Sequence, residues 1–284
     1  MTKRKPPPAT DIAAQLQLRP GQSLALLKEL HILTRDGRIN QDSRRKLKQV
    51  NHLYQFIEPL LQTTMDAGQT PRLVDHGAGK SYLGFILYDL FLRSAPESHI
   101  WSVETRPELV TRAQALATQL DFERMHFLCC PVGDAGTHPA IPSQVDIVTA
   151  LHACDTATDD AIRFALQKHA RYIVLVPCCQ AEVAAVLRQQ KNQTLGITPL
   201  SELWRHPIHT REFASLLTNT LRCLLLQAHG YQISVTELVG WEHSMKNELI
   251  IGTRTGKPLE SARARATQIL QLCNLQKLNA RFLY

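Results

Sequence analysis

Leu73-Val74-Asp75-His76-Gly77-Ala78-Gly79-Lys80-Ser81-Tyr82-Leu83 joins a short apolar run to an acid, two closely spaced glycines and a second apolar run. This order predicts a strand over 71–75, a tight turn, and a helix over 81–94. Glycine suits the turn because the backbone must reverse sharply and admit a ligand with no Cβ in the way. The helix that follows adds free N–H groups beside that ligand. Three ligand classes use such a turn. A phosphate-cradling loop needs G-x-x-x-x-G-K-[ST]; Gly79-Lys80-Ser81 supplies the second half, but the first glycine falls on Val74 and the motif fails. A dinucleotide fingerprint needs a third glycine where this chain has Tyr82. S-adenosylmethionine carries cationic groups and no phosphate, so Asp75 with Gly77, Ala78 and Gly79 suits it best of the three.

Composition narrows the setting. The chain has 284 residues, 44% of them hydrophobic and 20% charged, which is enough to bury a full core. No apolar run is long enough to span a membrane. The basic N-terminus, residues 1–8, lacks the apolar stretch of a secretory signal. Seven cysteines, including the adjacent pairs Cys129-Cys130 and Cys178-Cys179, show no disulfide spacing, which points to a reduced, cytoplasmic setting. The net charge of +7 sits at the ends. Residues 1–50 hold eleven Lys/Arg against four acids, and residues 254–284 hold six against one. Such ends predict polyanion-facing attachments on a catalytic middle, RNA being the expected partner; the competing reading is a solvated face that serves solubility.

The organisation follows in order. Residues 1–10 read as a disordered basic tail. Residues 11–66 read as a basic helical extension, with a helical pattern from Asp11 to Leu33 broken at Arg19-Pro20-Gly21. A long helix capped by Asp42 or Ser43 then runs to about Leu61. That helix carries Leu47, Val50, Leu53, Tyr54, Ile57 and Leu60 on one face and Arg44, Arg45, Lys46 and Lys48 on the other. Residues 67–256 alternate strands (71–75, 99–103, 125–130, 145–151, 172–176) with helices, the pattern of a doubly wound parallel α/β sheet. Residues 231–239 and 248–253 read as a hairpin that places one antiparallel strand at the sheet edge. Residues 257–284 close with an amphipathic helix.

Ligands of open α/β sheets bind beyond the carboxyl ends of the strands. Glu104, ending the second strand, is placed to hold ribose hydroxyls, and Asp134, just past the third, to accept from an adenine amino group, although a turn-forming aspartate there is a comparable reading. The fourth strand ends in Leu151-His152-Ala153-Cys154-Asp155 and the fifth in Pro177-Cys178-Cys179-Gln180; both would line the mouth of the pocket. His152 is the obvious neutral-pH base there, with a structural histidine as the alternative. Cys178 and Cys179 have three readings: packing at a strand end, a nucleophile attacking a pyrimidine ring, or metal ligands with Cys154, His152 or His243. Adjacent cysteines do not form the usual C-x-x-C chelate, and no metal is expected. Cys129-Cys130 reads as core strand.

Taken in order, D-x-G-x-G-K-x-Y-L at 75–83, E-x-R at 104–106, L-H-A-C-D at 151–155, V-P-C-C at 176–179 and H-S-M-K-N at 243–247 resemble one branch of the class I methyltransferases. It is the branch found in glutathione-S-transferase C-terminal-domain-containing proteins and in some methyltransferase-like proteins. Ser244 and Met245 stand where that branch has Thr and Pro, and Asp155 and Gln180 also depart from it. The resemblance spans about 71–253. It implies a Rossmann-like, seven-stranded, mostly parallel sheet with S-adenosylmethionine as methyl donor and says nothing about residues 1–60, where the helical pattern itself adds the N-terminal extension. Lys246 and Asn247 would orient an acceptor, and the charge of the basic helix makes Arg44 and Arg45 the residues expected to contact it. The expectation is methyl transfer to RNA, rRNA or tRNA, with two alternatives: an acceptor that is a small molecule or protein, and a non-catalytic RNA-binding scaffold keeping a vestigial pocket.

Overall fold

The structure, a computed structural model, describes residues 18–34, 36–151, 153–177, 180–194, 199–238 and 248–284, with the side chains at 46 and 190–194 left aside. Its centre is a sheet of seven strands: β1 (Arg72–His76), β2 (His99–Glu104), β3 (Met125–Cys129), β4 (Ile147–Ala150), β5 (Tyr172–Leu175), β6 (Tyr231–Glu237) and β7 (Glu248–Arg254). The spatial order is β3-β2-β1-β4-β5-β7-β6. The first five strands are parallel. Strand β7 is antiparallel to both of its neighbours, β5 and β6. The antiparallel strand is therefore not at the edge, as the hairpin reading placed it; β6 is. A hairpin fixes only which strands pair, while the buried Leu249 and Ile250 draw β7 inward and leave the more exposed β6 outside.

Nine helices are described: α1 (Leu24–Glu29), α2 (Gln41–Asp66), α3 (Tyr82–Leu90), α4 (Pro107–Gln119), α5 (Thr156–Gln167), α6 (Ala181–Thr194), α7 (Pro207–Ala228), α8 (Glu260–Leu272) and α9 (Asn279–Phe282). Buried side chains of α1 to α4 pack on one face of the sheet, and those of α5 and part of α7 on the other. A third cluster joins α6 and α7 to α8 and α9. Central strands covered on both faces read as near-continuous apolar runs; Leu73, Val74, Ile147 and Val148 supply them, and the buried polar residues Asp75, His76 and Thr149 follow toward the carboxyl ends.

The N-terminal helices share the first core. Leu26, Leu27, Leu47, Leu53, Tyr54, Ile57 and Leu61 are buried against residues of β1 and α3. The long helix α2 is capped by Asn40, whose side chain accepts from Ser43 N, rather than by Asp42 or Ser43, and it runs five residues past Leu61. Between Leu18 and Leu33 only α1 is helical, because Pro20-Gly21 and the positive φ of His31 end the pattern on either side. Cys129 is exposed and Cys130 half-buried, so that pair is a strand end rather than core. The expectations for residues 1–17, and those for His152, Cys178, Cys179, Lys246 and Asn247, lie outside the described residues. Among the described residues no helix is long and apolar enough to cross a membrane.

Candidate active site

Strand β1 pairs with β2 on one side and β4 on the other, so the chain leaves the sheet in opposite directions at its carboxyl end. A crevice forms at such a switch point. Here it is a cavity of about 650 Å³, within the usual range for cofactor sites. Its floor is Asp75 and the Gly77-Ala78-Gly79 turn, one wall is Val103 to Arg106, and the opposite wall is Leu151, Ala153, Cys154 and Ala157. Gln49 and Val50 of α2 close a further side.

The turn is held by its neighbours. Ala78 N–H donates to Val103 O at 3.1 Å, tying it to β2. Gly77 has φ +65, and a Cβ there would stand 3.1 Å from Ala153 Cα and 3.2 Å from Ala153 N. Glycine is thus required both by conformation and by the approach of the chain after β4. Gly79 also has positive φ, and its N–H donates to Glu104 Oε2 at 2.8 Å.

Glu104 is almost fully buried and accepts from six donors. Besides Gly79, these are Thr105 through N and Oγ1 at 3.0 and 3.3 Å and Arg106 through N, Nε and Nη2 at 3.1, 2.9 and 3.2 Å. Burial opposes its ionisation, but the Arg106 guanidinium and the backbone donors outweigh it and hold the carboxyl below its ordinary value. The Arg106 side chain is more than half exposed, so it can yield its places to incoming hydroxyl donors.

Asp75 differs in kind. It is buried, and among the described residues it accepts one hydrogen bond, from Thr149 Oγ1 at 2.6 Å, the residue beside it on β4. Burial pushes its carboxyl up to about 7, with the Thr149 bond acting against that rise. A buried carboxylate with no cationic partner among the described residues is costly until a cation arrives. S-adenosylmethionine fits this arrangement: its cationic amino-acid end suits Asp75, its ribose hydroxyls suit Glu104, and the glycine backbone admits both. Next to Asp75, His76 is buried against Phe164 with neither ring nitrogen hydrogen-bonded, and burial lowers its pKa to about 3.

The expected residues separate into three groups. Asp75, Gly77, Ala78, Gly79, Glu104 and Leu151 come together on the cavity. Asp134 does not line it: the chain after β3 enters a 3-10 turn, Val132–Thr137, which turns Val132 inward and leaves Asp134 exposed. Arg44 and Arg45 are exposed on α2, about one helical turn before Gln49 and Val50. Sequence reasoning missed Gln49 and Val50, whose only signal was membership of a helical period, and Arg106, which lay inside a motif read for its glutamate. No group of three or more possible metal ligands exists among the described residues.

A family model described as "Methyltransferase domain" matches residues 45–186. The chain is 23% identical over 243 residues to the glutathione S-transferase C-terminal domain-containing protein of Bos taurus, covering 77% of this chain and 35% of that one. The Homo sapiens protein of the same name is 22% identical with the same coverage. The chain therefore spans about a third of the length of the curated relatives it matches. Among solved structures, an SAH-bound methyltransferase from Podospora anserina aligns with TM-score 0.49 at 12% identity, over 90% of this chain and all of that one. The Aeropyrum pernix fibrillarin with natively bound S-adenosyl-L-methionine aligns with TM-score 0.41 at 14% identity, over 64% of this chain and 66% of that one.

Proposed function

The chain belongs to the methyltransferase-domain family, whose model covers residues 45–186, and from that premise we propose that it methylates RNA, rRNA or tRNA, with S-adenosylmethionine as donor. The observation that carries the cofactor is Asp75, buried with no cationic partner among the described residues and opening on a cavity whose other side presents Glu104. When bound, the cofactor supplies a methyl group on a sulfonium, a good leaving group. The protein's own work is alignment. Asp75 would hold the amino-acid end, Glu104 the ribose, and Leu151, Ala153 and Cys154 the side on which an acceptor must enter.

The acceptor reading rests on α2. Its Gln49 and Val50 form part of the cavity, while Arg44 and Arg45 stand exposed on the same helix. A helix built this way brings phosphate-binding charge beside the cavity without touching the reacting groups. His152, Cys178, Cys179, Lys246 and Asn247 are proposed for the acceptor side, and Asp134 for the adenine amino group only if its turn rearranges on binding. The segments 1–10, 11–66, 67–256 and 257–284 remain the proposed division of the chain.

Calorimetric titration of S-adenosylmethionine, followed by transfer of labelled methyl to bulk cellular RNA, tests the reading. Micromolar binding that Asp75→Asn weakens at least about tenfold is expected, since a charge-assisted contact is lost. Label recovered in RNA supports the acceptor; label recovered only in protein or small molecules refutes it. No binding of the cofactor in any buffer refutes the enzyme.

A further inference from the structure

The wall after β4 is held by a buried polar cluster that the cofactor site does not use. Arg222 of α7 is 0% exposed. Its guanidinium forks onto Asp159, Nε to Oδ1 at 2.7 Å and Nη2 to Oδ2 at 3.0 Å. Nη2 also donates to the Asp155 carbonyl at 2.8 Å, and Nη1 to Asn219 Oδ1 at 3.1 Å. Asn219 Nδ2 donates to Glu248 Oε2 at 2.7 Å, and Gln180 Nε2 to Asn219 Oδ1 at 3.5 Å. Ser215 Oγ donates to Gln180 Oε1 at 2.9 Å. One cluster thus grips the chain just after β4, just after β5 and at the start of β7.

Two features argue that it does more than stabilise. A buried ion pair is weak evidence for stability, because apolar residues of similar volume often serve as well or better. Asp155 meanwhile adopts φ 53 and ψ −121, a conformation that non-glycine residues avoid. Such strain persists only where surroundings over-determine it. Here Arg222 fixes the Asp155 carbonyl, and Asp155 Oδ1 is committed to Glu182 N–H at 3.1 Å at the head of α6. Thr158 Oγ1 donates to the Ala153 carbonyl, completing the hold on residues 153–158.

We propose that Arg222 is a positioning residue: with Asp159 it sets the path of residues 153–157 and so places the Ala153, Cys154 and Ala157 side of the cavity against the acceptor. This rests on the methyltransferase reading above. Through Asn219 the same device reaches Gln180 and Glu248, so the ends of β4, β5 and β7 are registered to one guanidinium.

The test compares the wild type with Asp159→Leu/Arg222→Met, which removes both charges and leaves none unpaired, and with Arg222→Lys, which keeps the charge but loses the fork. Two measurements are made. Hydrogen exchange follows the amides of Ala157, Thr158 and Glu182, which are bonded to Cys154 O, Asp155 O and Asp155 Oδ1. Methyl transfer from labelled S-adenosylmethionine to total cellular RNA gives kcat, beside the calorimetric Kd for the cofactor. In the folded double variant those amides should exchange about tenfold faster or more while β1 and β2 stay protected, and kcat should fall about tenfold or more with the cofactor Kd within about threefold. Arg222→Lys should fall between, and it decides on the same readouts if the double variant does not fold. Unchanged local exchange, or unchanged kcat in a variant with loosened exchange, overturns the proposal. If the wild type binds no cofactor, the methyltransferase reading fails by itself, and the exchange result alone then decides whether Arg222 sets this wall.

Discussion

Asp75 and His76 are consecutive in β1, face opposite sides of the sheet and are both buried, and burial favours the neutral form of each. Their effects on stability have opposite sign. The Asp75 carboxyl titrates near 3.8 when unfolded and near 7 when folded, so the folded chain keeps a proton the unfolded chain has lost. Its contribution therefore weakens as pH rises from about 4 to about 7 and is constant above that. The His76 imidazole titrates near 6.5 when unfolded and near 3 when folded, so the unfolded chain binds the extra proton and stability falls as pH drops through that window. Between about pH 4 and 6.5 the two slopes oppose each other. Asp75→Asn removes one of them: urea unfolding of the cofactor-free variant should show a gain of up to about 4 kcal/mol at pH 8 and a newly steep loss below pH 6.5. Cofactor affinity of the wild type should fall below pH 7, as Asp75 takes up the proton that competes with a cation. The acid and the glycines were legible because the turn is local. The isolation of His76 and the Arg106 fork on Glu104 were not, because both depend on chain segments far apart in sequence. Asp134 was read from position alone, and position could not show that a 3-10 turn would exchange it for Val132.

At the scale of elements, α2 is a basic helix and a wall of the cavity at once. The sequence displayed its two faces, since Leu47, Leu53, Tyr54 and Ile57 recur at helical spacing opposite Arg44 and Arg45. It did not display that Val50, on the apolar face, and its neighbour Gln49 would meet the β1 turn. The proximity has a measurable result. With the proposed RNA acceptor, Arg44→Glu/Arg45→Glu should weaken binding about tenfold or more at low salt and flatten the salt dependence by about two phosphate contacts. Anisotropy with labelled RNA over a salt series checks this, with cofactor affinity unchanged; equal slopes would remove α2 from the RNA surface. The order of β6 and β7 was not legible either, because an apolar run says that a strand is buried and not which neighbours bury it.

Over the whole molecule the two basic ends prove unequal. Arg281 is half-buried and bonded to Glu182 at 3.2 Å, Arg263 donates to Leu283 O, and Lys277 to Gln189. Arg281 and Lys277 thus tie α9 and the turn before it to α6, and Arg263 ties α8 to the chain after α9, whereas Arg44 and Arg45 face outward. Counting charge along the chain could not separate the two uses. The interior position of β7 carries a further consequence, for synthesis rather than for chemistry. A ribosome delivers β6 before β7, yet among the described residues β6 pairs with β7 alone, and β5 keeps an open edge until β7 arrives. Every nascent chain must therefore wait with two unpaired strand edges, a condition that invites association with other chains. A fragment ending at residue 247 should accumulate in the pellet on expression while the 284-residue chain does not; a soluble, cooperatively folding fragment would refute this. Strand β7 is thus the keystone laid last, and the interval before it is set is when this protein most needs a chaperone.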